Sequence, residues 1–148
     1  MNKDLAVLLS QIKQKTQRAI DLFSHSVNKL APYDKNQNYT PDELEPYDAL
    51  ADRFIRVIEM DLRYFRTWEL YQEGLTAGST RDNLLKMEKL GLVTNAALWI
   101  DMRNVRNKIV HDYLPEQTEQ MFHLLMTDFA KELFYSAEKI EATEIVDQ

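Results

Sequence analysis

Residues 106–113 read RNKIVHDY and hold four side chains able to act on a phosphate: Arg106, Asn107, His111 and Tyr113. An imidazole with an ordinary pKa near about 6.5 can take or give a proton at neutral pH. A guanidinium never deprotonates and offers a planar fork that matches phosphate oxygens. That inventory suits RNA cleavage by internal transesterification. The 2′-hydroxyl must lose a proton as it attacks the adjacent phosphorus, and the leaving 5′-oxygen must gain one. Charge developing on phosphorus needs a fixed cationic donor. One histidine can serve as base or acid but not both at once, and the chemistry needs no metal.

On an ideal helix Arg106 and His111 point about 140° apart, flanking a groove centred near Arg103 and Val110. A two-fold axis through that groove would add a second Arg106 and a second His111. The composite site then holds two imidazoles and two guanidiniums, with Arg103 beside them.

The helix that must carry these residues is NAALWIDMRNVRNKIVHDY, with Thr94 as its cap. Leu98, Met102, Val105 and Ile109 fall on one stripe that seats it on a core. Asp101, Asn104, Lys108 and Asp112 occupy a solvent sector. The third sector mixes Trp99, Ile100 and Val110 with Arg103, Arg106, Asn107 and His111. In the ordinary reading, Trp99 and Val110 pack on a neighbouring helix while the arginines pair with Asp52, Glu59 or Asp61. In the functional reading, the sector is a subunit interface, where Trp and Arg are enriched. That reading assigns Trp99 outside the core.

The rest of the chain reads as helices around this one. A first helix spans about Asn2 to Leu30, with Leu5, Leu8, Leu9, Ile12, Ala19, Ile20, Phe23 and Val27 at helical spacing. APYDKNQNYTPDELEP breaks it. Thr40-Pro41-Asp42-Glu43 forms a capping box that opens one short turn before Pro46 restarts the helix, which runs to about Gln72. Gly74 and Gly78 end it. Ser79 or Thr80 caps a short helix, RDNLLKMEKL, that stops at Gly91. Pro115 precedes a last helix, EQTEQMFHLLMTDFAKELFYSAEKI, with Phe122, Leu125, Phe129 and Leu133 facing inward. The tail EATEIVDQ, from about residue 142, is expected to fray. The fold class is all-α: an up-and-down bundle of about five helices in a single domain, residues 1–148.

Composition supports that class. The chain has 148 residues, 45% of them hydrophobic, with 3 Gly, 4 Pro and no Cys. Few turn formers argue against a β-rich fold, and the lack of Cys excludes disulfides and thiolate metal sites. The first residues have too short an apolar run for a signal peptide, and nothing approaches a membrane span, so a soluble, cytoplasmic protein is expected. A net charge of −6 repels nucleic acid globally, and RNA binding must come from a local basic patch.

Arg106-Asn107-x-x-x-His111-x-Tyr113 resembles the R-x4-H-x-Y signature of the HEPN superfamily, whose Arg and His share one helix of an α-bundle. RDNLLKMEKLGLVTNAALWIDMRNVRN is similar to the HepT-like branch, with its Leu-Gly turn and a Trp on the motif helix. The likeness is strongest over residues 81–113. It implies a homodimeric, metal-independent ribonuclease toxin encoded beside a minimal nucleotidyltransferase (MNT) antitoxin. Arg106 and His111 would be catalytic, Asn107 would support them, and Tyr113 would receive AMP from the antitoxin. The added anion would block RNA by charge and bulk. An alternative within the resemblance is a non-catalytic, nucleotide-binding partner of a nucleotidyltransferase, and a third reading is a plain helical interaction protein.

Among other residues, Asp61 falls on the apolar stripe of the second helix and requires a partner or a raised pKa. A structural salt bridge, an edge position, or orientation of Arg106 or Arg103 would each account for it. His25 and His123 have no ligands at metal spacing and are expected at the surface or as satisfied core residues. Arg53, Arg56, Arg63 and Arg66 could extend a basic path for RNA, but Asp52, Glu59 and Asp61 between them favour a salt-bridged face. Glu43, Glu45 and Asp48 suit a helix start.

Overall fold

A computed structural model of the chain describes residues 2–76, 78–108 and 115–146. All secondary structure among them is helical: α1 (Asn2–Lys29), α2 (Pro41–Glu73), α3 (Thr80–Lys89), α4 (Ala96–Lys108), α5 (Pro115–Met126) and α6 (Asp128–Ala142). None of these helices is long and apolar enough to cross a membrane.

The longest packing is α1 along α2, with α6 against α1, α5 beside α6, and α3 and α4 stacked at the far end of α2. The stripes read from sequence meet in one core. Leu9, Ile12 and Phe23 of α1, Phe54, Ile58 and Phe65 of α2, and Leu125 and Leu133 of the last two helices are buried within it. Phe23 and Phe54 rings lie 6.2 Å apart, and Phe54 stacks on Phe129 at 5.8 Å.

Helix ends follow the chemistry of the chain. Thr40 Oγ1 accepts from Glu43 N at 3.2 Å while Glu43 Oε1 accepts from Thr40 N at 3.1 Å, closing the capping box. Pro46 does not restart α2; the helix runs through it. Six residues into the helix, the ring costs only the one bond that residue 46 would give to the first turn, where the box already fixes the backbone. Gly74 closes α2 in the left-handed conformation, φ 77°, donating to Leu70 O at 2.8 Å. Ser79 caps α3 by accepting from Asp82 N at 3.1 Å.

Two other expectations are corrected. Thr94 does not cap α4. Asn95 does, its Oδ1 accepting from Ala97 N at 2.9 Å and Leu98 N at 3.3 Å. The last helix is two, because Thr127 (φ −119°, ψ −95°) interrupts it. The Thr127 hydroxyl donates to His123 O at 2.6 Å, competing for a carbonyl in the helical ladder. Tail residues 143–146 leave the helix and make contacts with α1 and α2. Lys13 Nζ donates to Thr143 O at 2.8 Å, Tyr64 Oη and Thr143 Oγ1 share a hydrogen at 2.5 Å, and Tyr71 Oη accepts from Val146 N at 2.9 Å. Burial lifts the Tyr64 phenol to about 12, so it stays protonated and able to donate.

Candidate functional site

The motif helix α4 is pinned before it reaches its polar residues. Trp99 and Met102 are fully buried. The Trp99 ring meets Phe65 edge-on at 5.2 Å, and its Nε1 donates to Glu132 Oε2 at 2.8 Å. Trp99 therefore belongs to the core, not to a subunit interface. Its bulk fits between α2 and α6 because a buried carboxylate satisfies the indole N–H, which otherwise favours a wet boundary.

Glu132 was not singled out by sequence reasoning, yet it organises this end of the molecule. It is 4% exposed and also accepts from the backbone N of Thr94 at 2.9 Å and from the Thr94 hydroxyl. One turn on, Ser136 Oγ donates to Leu92 O and Tyr135 Oη to Gly91 O, each at 2.9 Å. The turn from α3 into α4 is thereby fastened to α6. The available signal was positional: Glu132 falls on the Phe129, Leu133 and Ser136 side of an amphipathic helix, where a carboxylate implies buried partners.

Beyond Met102 the helix presents cations. Arg103 and Arg106 are half-buried, and Asn107 is exposed. Arg106 Nε and Nη2 both donate to Asn107 Oδ1, at 3.2 and 3.0 Å, so the amide grips one edge of the guanidinium. Arg103 lies within about 60° of both around the helix axis. The carboxylates proposed as their partners are elsewhere. Asp52 pairs with Arg56 at 3.2 Å, Glu59 is exposed, and Asp61 is buried. Among the described residues, the only other ion pairs tie Lys86 to Glu69 at 2.7 Å and to Glu73 at 2.5 Å. These carboxylates hold the Lys86 ammonium above its usual range, Glu69 most. Arg103 and Arg106 thus make no ion pair with a carboxylate among the described residues. Asp101, Asn104 and Lys108 are exposed as expected. Ile109, Val110, His111, Asp112 and Tyr113 lie outside the described residues.

Asp61 makes no salt bridge with Arg103, Arg106 or any other described residue, and is no edge position. It is 2% exposed, its Oδ2 has no hydrogen-bond partner among the described residues, and burial alone raises its pKa well above the carboxylate range. Val57, Ile58, Tyr64 and Phe65, one turn to either side, are all fully buried. The folded state holds a proton that the unfolded chain releases near about pH 4. The Asp61 contribution to stability is therefore complete below that pH and is lost as pH rises toward the raised folded value. Asp61→Leu should stabilise the protein at pH 7 by about 1–3 kcal/mol, because no uncompensated carboxyl remains. In urea melts the gain should shrink as pH is lowered toward 4. A gain that does not change with pH would contradict this account.

His25 and His123 are exposed. The outer face of α2 is less salt-bridged than its sequence implied: Arg53 donates instead to Ser26 Oγ at 2.8 Å and Leu22 O at 3.2 Å. Beside α4, Val105 and Lys108 line a small cleft of about 210 Å³ with Gln120 and Leu124 of α5. No protein-family model matches the chain, and no curated protein matches it.

Proposed function

We propose that the protein is a HepT-like HEPN endoribonuclease, the toxin of a toxin–antitoxin pair, acting as a homodimer with Arg106 and His111 as catalytic residues. The observation that carries this reading is the Arg106–Asn107 fork. It is a guanidinium oriented by a neighbouring amide, set on a helix anchored by Trp99, and neutralised by no described carboxylate in a chain of net charge −6. The Asn107 amide occupies one edge of the guanidinium and leaves the other edge open. An arginine held for a phosphate has to keep N–H groups free.

In the reaction, one His111 imidazole takes the proton of the 2′-hydroxyl as its oxygen bonds to phosphorus. The bond from phosphorus to the 5′-oxygen breaks, and the protonated imidazole of the second copy gives that oxygen its proton. A 2′,3′-cyclic phosphate and a 5′-hydroxyl result. Arg106 donates to the equatorial oxygens as charge builds on them. Arg103 adds positive potential, and Asn107 fixes the fork.

The test is RNA cleavage by purified protein with chelator present, followed by identification of the product ends. Cyclic phosphate ends support the assignment, and intact RNA sinks it. Regulation is checked separately. Coexpression with a minimal nucleotidyltransferase should add AMP-sized mass increments at Tyr113, and modification confined to other residues would remove that part of the proposal.

A further inference from the structure

Helices α1 and α2 run antiparallel, and small residues along their seam, Ala19 and Ser26 on α1 and Ala49 on α2, leave two shallow depressions on one side of it. The first, of about 180 Å³, has Ala19, Leu22 and Met60 for its apolar surface and Lys15, Arg18 and Arg56 around it. In the second, of about 250 Å³, the apolar surface comes from Leu30, Pro46 and Ala49. Its charged groups are Lys29, Arg53 and Glu45, with His25 beside them. Arg53 joins the helices between the two depressions, donating from Nη1 to Leu22 O at 3.2 Å and to Ser26 Oγ at 2.8 Å.

These surroundings are basic although the chain carries a net charge of −6. Arg56 pairs with Asp52 of its own helix, whereas Lys15, Arg18 and Lys29 are exposed and make no ion pair among the described residues. Leu22, beside them on α1, is 38% exposed. Apolar hollows edged by cations match an amphipathic helix whose apolar residues enter the hollows while its carboxylates meet the rim. The depressions are centred about nine residues apart along α1, or about 13 Å. On a helix, residues seven and eleven apart share a face and lie about 10 and 16 Å from each other, which brackets that spacing. A nucleic-acid strand could use the same cations, but its bases are held by stacking on aromatic rings. Among the described residues, no aromatic side chain lines either depression.

We infer that the α1–α2 seam is a docking surface for an acidic amphipathic helix of a partner protein, with two aliphatic residues of that helix seated beside Leu22 and beside Leu30. The inference stands apart from the ribonuclease reading, because among the described residues neither depression is lined by α4.

The probe is a synthetic helical peptide of about 20 residues, long enough to span both depressions at about 1.5 Å per residue, with leucines on one face and glutamates elsewhere. Titrated into the full chain and followed by amide NMR, it should bind saturably and shift amides of residues 15–30 and 45–60. A version with glutamine for leucine, and another with lysine for glutamate, should each bind at least about ten-fold more weakly. Lys15→Glu and Arg18→Glu, both at exposed positions, should each weaken the acidic peptide about five-fold or more with unchanged melting temperature. Binding that is the same in both variants, or no tighter than that of the lysine peptide, overturns the surface. A 2′-O-methyl RNA oligonucleotide, which has no 2′-hydroxyl to attack its phosphate, is titrated in parallel. If this RNA shifts the seam amides and the peptide does not, the surface belongs to nucleic acid and the docking inference fails. A protein that binds the peptide at the seam but cleaves no RNA keeps the docking surface while the ribonuclease reading falls.

Discussion

His111→Ala is expected to lower RNA cleavage at neutral pH by about 10²–10⁴-fold, the range that a positioned general acid or base supplies. The loss should be at the upper end, because in a shared site one substitution removes both imidazoles, and with them the acceptor for the 2′-proton and the donor to the 5′-oxygen. Wild-type activity should follow a bell-shaped pH profile, with one imidazole required neutral and the other protonated. The variant should lose the bell. Arg106→Ala should cost about 10²–10³-fold without changing the shape of the profile, since it removes charge stabilisation rather than proton transfer. Arg106→Lys should recover little, because an ammonium restores the charge but not the fork that Asn107 orients. Specific activity should also fall on dilution as the dimer dissociates. Wild-type cleavage rates from the His111→Ala protein would eliminate the assigned mechanism whatever the oligomeric state.

The helical framework was legible because α1, α2 and α3 carry apolar residues at helical spacing, and α2 and α3 add capping chemistry at their ends. Thr40 with Glu43, Ser79 and Gly74 act locally and behave as their types predict. What escaped was long-range and polar. The break at Thr127 depends on a hydroxyl choosing a carbonyl, and the tail contacts on Tyr64 and Tyr71 reaching Thr143 and Val146 across more than seventy positions. Angular reasoning placed Asp101, Asn104 and Lys108 in solvent correctly, and Trp99 wrongly. A residue's angle around its helix shows which sector it shares, not whether another helix covers that sector. The Arg106–Asn107 pair was legible as neighbours in sequence, whereas the lack of an ion pair to Arg106 among the described residues needed the fold.

Trp99→Ala should destabilise the protein by about 3–5 kcal/mol, as expected when a large aromatic side chain leaves a cavity in a packed core. Two further consequences separate this site from an ordinary cavity. The substitution takes one donor from Glu132, a carboxylate that is 4% exposed and would keep only its bonds from Thr94. Trp99→Phe keeps one ring but loses the pyrrole carbons together with the N–H, so it should cost at least the about 1–3 kcal/mol of a buried polar group short of a partner, with a small cavity adding to it. Glu132→Gln should cost a similar amount, since half of its amide cannot accept. The two changes combined should cost less than their sum, with a coupling of about 0.5–3 kcal/mol in urea melts. Additive losses would mean that the indole and the carboxylate do not act as a unit. The pair also bears on the site, because Trp99 is one turn before Arg103 and two before Arg106. Trp99→Phe protein that remains folded at 25 °C should therefore still lose cleavage activity through a loosened α4, and it should regain activity at lower temperature, whereas Arg106→Ala should not.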